Sequence, residues 1–174
     1  MVWVTLSIGS NCNARENFST CLDILLLQFR DLALSSVYES EGDGNPGRCY
    51  LNMAVGFDTD MPLPELVALL KKTEDKHGRA RPPAPCDEVT LDIDLLTYGD
   101  QAGNYSGTEV PHADIVRKSY MLKPLSQIAG KRRHPVLKQT YAELFAARKE
   151  EFGNTQRLKP VAFEWHGRVL STPR

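Results

Sequence analysis

Apolar side chains alternate with others from Val2 to Ile8 (V-W-V-T-L-S-I), and this period of two predicts a β-strand. Gly9-Ser10-Asn11 breaks it. Asn13 then stands where a helix cap belongs, with Glu16 three residues later as a capping-box partner. Phe18, Leu22, Leu25, Leu26 and Phe29 recur at helical spacing. Ala33 to Ser40 reads as a second strand, the Gly-rich acidic run Glu41 to Arg48 as a loop, and Tyr50 to Asp58 as a third strand. Pro62 to His77 reads as a second helix, with Leu63, Leu66, Val67 and Leu70 on one face and Gly78 just past its end. Arg79 to Val89 carries Pro82, Pro83 and Pro85 and predicts a long stiff loop. Leu91 to Tyr98 is a fourth strand. Beyond it Met121 to Ile128 is apolar, Tyr141 to Phe152 is helical in pattern, and Val161 to Leu170 adds a strand or a terminal arm.

The order strand, helix, strand, strand, helix, strand is that of the ferredoxin-like split βαβ sandwich, an α+β fold with an antiparallel sheet and helices on one face. We expect one domain over residues 1–174, with its core in 1–135 and an irregular C-terminal extension in 136–174.

Composition narrows the functional classes. Of 174 residues, 41% are apolar and 25% charged, an ordinary globular balance. The 21 basic and 22 acidic residues leave a net charge of −1, which argues against a nucleic-acid or membrane-binding face. Met1-Val2-Trp3-Val4 lacks a basic segment leading into an apolar one, and none of Cys12, Cys21, Cys49 and Cys86 forms a C-x-x-C pair. We therefore expect reduced thiols, a cytoplasmic location and no membrane partner, as a monomer or a homodimer.

Leu91-Asp92-Ile93-Asp94 is the most informative string. Positions two apart on a strand share a face, so Asp92 and Asp94 project together, about 7 Å apart at the backbone. Two such carboxylates are either solvated on an open face or hold a cation between them, and Mg²⁺ suits oxygen ligands supplemented by phosphates. Arg79 and Arg81 precede them, and His112, Arg117 and Lys118 follow. Forked guanidinium donors match phosphate geometry, while single surface cations are ordinarily solvated. Lys131-Arg132-Arg133 and Arg148-Lys149 read as solvated faces. Tyr50 and Asn52 share a face of the third strand. With Tyr120 they could hold a flat heterocycle, or the two tyrosines could belong to the core.

Ser7-Ile8-Gly9-Ser10-Asn11, Tyr50-Leu51-Asn52-Met53-Ala54-Val55, Gly78-Arg79-Ala80-Arg81, Thr90 to Gly99 (T-L-D-I-D-L-L-T-Y-G), Val110-Pro111-His112 and Met121-Leu122-Lys123-Pro124-Leu125 occur in this order. Together they resemble the 6-hydroxymethyl-7,8-dihydropterin pyrophosphokinases of folate biosynthesis, over about residues 2–135. The resemblance implies transfer of the diphosphate of ATP, the co-substrate, to the hydroxymethyl group of a reduced pterin, with release of AMP. It implies that Asp92 and Asp94 bind two Mg²⁺ ions and act in catalysis with Arg79 and Arg81. It further implies nucleotide and phosphate contacts from Glu74, Arg79, Arg81, His112 and Lys118, and pterin contacts from Tyr50, Asn52 and Tyr120.

Departures from that pattern lie before Thr90. The family's R-W-G-P-R string is replaced by Pro85-Cys86-Asp87-Glu88-Val89, which puts two acids where cations help hold a triphosphate. The segment after Tyr38 lacks the usual Thr and Pro and carries Glu39, Glu41 and Asp43. Lys118 replaces an arginine and loses its fork. A catalytically weakened homologue that binds a pterin-like ligand or a protein partner is the alternative these changes raise.

Overall fold

The computed structural model describes residues 1–42, 45–78 and 90–173. Its elements run β1 (Val2–Ser10), α1 (Ala14–Phe29), β2 (Ala33–Leu34), β3 (Tyr38–Gly42), β4 (Asn45–Thr59), α2 (Leu63–Lys76) and β5 (Asp92–Tyr98). A second half adds β6 (Gly103–Tyr105), β7 (Thr108–Val110), α3 (Ser119–Ala129), α4 (Tyr141–Thr155), β8 (Lys159–Pro160), β9 (Phe163–Trp165) and β10 (Arg168–Ser171). The main sheet has the order β5-β1-β4-β3-β8, with β2 also paired to β4. All these pairings are antiparallel, which gives the ferredoxin-like order expected of the first six elements.

α1 and α2 pack on one face of the sheet, and α3, backed by α4, packs on the other. Val4, Leu6 and Ile8 of β1, Met53, Val55 and Phe57 of β4, and Ile93 and Leu95 of β5 meet α1 and α2 in one buried core. Phe29 and Phe57 stack there with ring centroids 3.9 Å apart. Leu96 turns the other way and joins α3 and α4 through Met121, Leu122, Leu125 and Leu144 in a second core. The C-terminal helices thus add a layer on the face that the βαββαβ order leaves open. Thr5 and Ser7, the polar half of the β1 alternation, are therefore buried too, and Thr5 and Thr97 share a hydrogen bond of 2.6 Å.

Several local expectations are corrected. Asn13 has a left-handed backbone, φ 47° and ψ 42°, and its side chain makes no cap. A capping side chain needs an extended backbone to reach the first free N–H groups, so no capping box forms there. The capping box sits on α4 instead, between Thr140 and Glu143. The strand expected over Ala33 to Ser40 divides into β2 and β3 around Ser35-Ser36-Val37. Of the loop expected over Glu41 to Arg48, Glu41 and Gly42 belong to β3 and Asn45 to Arg48 to β4, with Gly42 paired to Asn45. The basic clusters are not simply solvated: Arg132 covers the Trp3 ring at 4.4 Å, and Arg148 binds Glu151 and the Val116 carbonyl.

Residues after 155 return to both the sheet and the first core. β8 extends the sheet beside β3, and the β9–β10 hairpin seats Phe163 against Phe18 and Trp165 beside α1. Trp165 Nε1 and His166 Nε2 both reach Asp23 Oδ1, at 2.9 and 2.5 Å, and the His166 bond first of all holds the Asp23 carboxyl below its usual range.

Two predictions follow from this packing. At Gly56 a Cβ would stand 2.5 Å from the Trp3 ring, under Ile128 of α3. Gly56→Ala should cost about 1–3 kcal/mol by overpacking, read from denaturant unfolding. His134 is buried, and its Nδ1 accepts the N–H groups of Val136 and Leu137, so burial pushes its pKa down. The folded state resists a proton that the unfolded chain accepts near pH 6.5. This contribution to stability is whole above that pH and is lost as pH falls toward the depressed folded value. A His134→Gln variant should show a flatter decline in thermal midpoint between pH 7.5 and 5.

Candidate active site

Antiparallel register brings the chemistry of three strands onto one face. Gly9 of β1 pairs with Asn52 of β4 on one side and Asp92 of β5 on the other, and Tyr38 of β3 pairs with Asn52. Tyr38, Asn52, Gly9 and Asp92 therefore form one row across four strands, and Ala54, Ser7 and Asp94 form the next. Strand spacing puts Asn52 and Asp92 about 10 Å apart at the backbone. Their face is the one opposite α1 and α2. α3 packs over part of it, with Lys123 Nζ 5.0 Å from the Tyr38 ring centre.

β5 is an edge strand, so its outward N–H and C=O groups need partners from elsewhere. Glu74 supplies one. Its buried carboxylate accepts the N–H of Ile93, the residue between the two aspartates, at 2.8 Å. The start of β5 is tied down by Ser10 and Asn17, whose Oγ and Nδ2 donate to the Thr90 carbonyl at 2.6 and 2.9 Å. The Gly9-Ser10-Asn11 break thus serves as an anchor beside the aspartates as well as a turn.

Asp94, Glu74 and His112 line one cavity of about 390 Å³, with Lys71, Thr108 and Glu109 on its wall. His112 is held at the open side of β5 by its own N–H, which donates to the Leu96 carbonyl at 2.8 Å. Its Nδ1 accepts the N–H of Asp114, so a neutral ring carries its proton on Nε2 and presents a donor. Lys118 caps α3 and stands outside the lining of this cavity among the described residues. Tyr120 follows it on α3, whose first residue Ser119 donates its N–H to Gln156 Oε1 and its hydroxyl to the Gln156 carbonyl at the end of α4. Tyr50, half-buried, lies two residues from Asn52 and pairs with Ser40. Arg79 and Arg81, like Cys86, Asp87 and Glu88, fall outside the described residues.

The donor set fits a hard divalent cation. Asp92 and Asp94 are half-buried carboxylates on one face of a held strand, one of them at an open cavity, and Mg²⁺ ordinarily takes one or two carboxylates with water and phosphate oxygens. Cys21 is poorly suited to act as a nucleophile, since burial pushes its thiol up to about 12.

Lys71, Thr108 and Glu109 were not singled out in the sequence. Lys71 stands three residues before Glu74 and shares its helix face, a signal that spacing carries. Thr108 and Glu109 reach the cavity only because the β6–β7 hairpin folds toward β5.

The family model of 7,8-dihydro-6-hydroxymethylpterin-pyrophosphokinase matches residues 5–130. Proteins called 2-amino-4-hydroxy-6-hydroxymethyldihydropteridine pyrophosphokinase are similar. That of Synechocystis is 33% identical over 122 residues, 65% of this chain and 62% of the relative. That of Aquifex aeolicus is 29% identical over 82% of this chain and 90% of its own. The chain therefore spans less than two thirds of the first relative's length. Among solved structures, wild-type HPPK-DHPS of Plasmodium falciparum superposes with a TM-score of 0.65 at 13% identity, over 98% of this chain and 49% of that one. An HPPK-DHPS in complex with substrates gives 0.70 at 10% identity, over 98% and 47%. At these identities the structures speak for the fold.

Removing the Glu74 clamp should loosen β5. A hydrogen bond to a buried carboxylate is worth about 1.5–3 kcal/mol, so amide exchange at Ile93 should quicken roughly 10- to 100-fold in Glu74→Leu. Glu74→Gln keeps an acceptor and should stay near the native rate.

Proposed function

Because the chain belongs to the 7,8-dihydro-6-hydroxymethylpterin-pyrophosphokinase family, we propose that it transfers the diphosphate of ATP to the hydroxymethyl group of a reduced pterin, in folate biosynthesis. The pterin hydroxyl oxygen bonds to the β-phosphorus, the bond from that phosphorus to the α,β-bridging oxygen breaks, and AMP leaves. The observation that carries the reading is the face on which Asn52 and both aspartates stand in two adjacent rows beside the cavity of Glu74 and His112.

Such a transfer asks the protein for in-line positioning and charge stabilisation more than for covalent chemistry. Asp92 and Asp94 would hold Mg²⁺, which neutralises triphosphate charge and makes a bound hydroxyl more acidic. Asn52 reads an edge of the heterocycle, and Tyr50 and Tyr120 offer faces for stacking. His112 donates from Nε2 to a phosphate oxygen. Lys118 acts as a point charge near the nucleotide, and Arg79 and Arg81 stabilise the charge gathering on the departing AMP. Glu74 is assigned here to the strand backbone rather than to ATP, since its carboxylate meets the Ile93 N–H and would repel phosphate.

The test is release of AMP from ATP with Mg²⁺ and 6-hydroxymethyl-7,8-dihydropterin. Turnover is expected, and none at millimolar ATP would overturn the assignment. Asp94→Ala should lower the rate roughly 10²–10³-fold with an unchanged unfolding transition, the range seen when a group that stabilises transition-state charge is removed. Pterin binding without any AMP release would instead favour a weakened homologue, the outcome that Asp87 and Glu88 would explain.

A further inference from the structure

Asn52 is 4% exposed and occupies the middle of the polar face. A carboxamide has a donor end and an acceptor end, so whatever orients it selects the ring edge it reads. Two contacts orient this one. Its Nδ2 donates to Ser40 Oγ at 2.7 Å, and its Oδ1 leans over Gly9, where an added Cβ would stand 3.3 Å away. Ser40 lies two residues beyond Tyr38, the register partner of Asn52, so the bond is a diagonal contact on one face of β3 and β4. A Cβ at Gly9 would otherwise meet only the Leu51 carbonyl oxygen, at 3.8 Å, among the described residues. Because Gly9 has no Cβ, the Asn52 amide oxygen can lean over it, on the strand between Asn52 and Asp92.

We propose that Ser40 is a positioning residue: by accepting from Nδ2 it holds the Asn52 carboxamide with Oδ1 turned over Gly9, where a ring edge rich in N–H donors is selected. This rests on reading that face as the pterin site. A pterin presents such an edge in its 2-amino group and the adjacent ring N–H, and its hydroxymethyl arm extends from the opposite ring. Gly9, with no Cβ, leaves room for the amide oxygen.

Two measurements test it. The first needs no ligand. The side-chain amide signal of Asn52 is assigned in nitrogen-labelled protein by its loss in Asn52→Asp. Its solvent exchange should quicken about three- to tenfold in Ser40→Ala and stay within about twofold of native in Ser40→Thr, which keeps the hydroxyl. Equal exchange in the native chain and Ser40→Ala overturns the proposal. The second compares Kd and KM for the dihydropterin with KM for ATP. Ser40→Ala should weaken the pterin about three- to tenfold and leave ATP unchanged, and Ser40→Thr should recover it. A parallel rise in both KM values, or no recovery in Ser40→Thr, overturns the role of Ser40 alone. A native chain that fails to bind the pterin overturns the pterin reading and this role together.

Discussion

One edge strand governs the site. β5 has a neighbour on only one side, yet it carries both aspartates, and an edge strand left to itself frays and twists. Three contacts prevent this here. β1 fixes its register, Ser10 and Asn17 grip the Thr90 carbonyl before it begins, and Glu74 closes the open edge at Ile93. Asp92 and Asp94 are thus displayed from a backbone held at its start, along its length and between the two carboxylates. A strand interior positions paired carboxylates more tightly than a loop can. Placing a third carboxylate nearby has an electrostatic cost. Glu74 offsets part of it by accepting from a backbone donor.

Burial of both faces of the sheet turns a scaffold into a site. α1 and α2 take the aliphatic face in the usual way for a split βαβ sandwich. The opposite face carries Thr5, Ser7, Asn52 and the aspartates, a composition that suits solvent. α3 covers the end near Trp3 and Gly56 through Ile128 and reaches the Asn52 row at Tyr38 through Lys123, while α4 backs α3. Polar groups are buried where they satisfy one another, as Thr5 and Thr97 do, and left facing a cavity where they do not need to.

The second half of the chain does more than extend the first. The β6–β7 hairpin walls the cavity, α4 holds the first turn of α3 and so the backbone of Tyr120, and the terminal hairpin braces α1 through Asp23. These are long-range contacts from sequence-distant residues. They make the geometry of the site a property of the whole chain.

Period-two alternation in β1 and the L-D-I-D string identified the strands, the core face and the paired carboxylates, because those follow from which way adjacent side chains point. The order of elements supplied the sheet topology, because short right-handed connections leave few alternatives. Other features were beyond local pattern. Whether Asn13 caps a helix depends on a left-handed backbone, and whether the Glu74 carboxylate reaches the Ile93 N–H depends on where α2 lies against β5. The hydrogen bond from Asn52 to Ser40 and the approach of the Asn52 oxygen to Gly9 depend on the register of three strands. Adjacency along the chain sets direction and periodicity. Which distant groups share one cavity is decided only when the sheet closes and the helices dock on it.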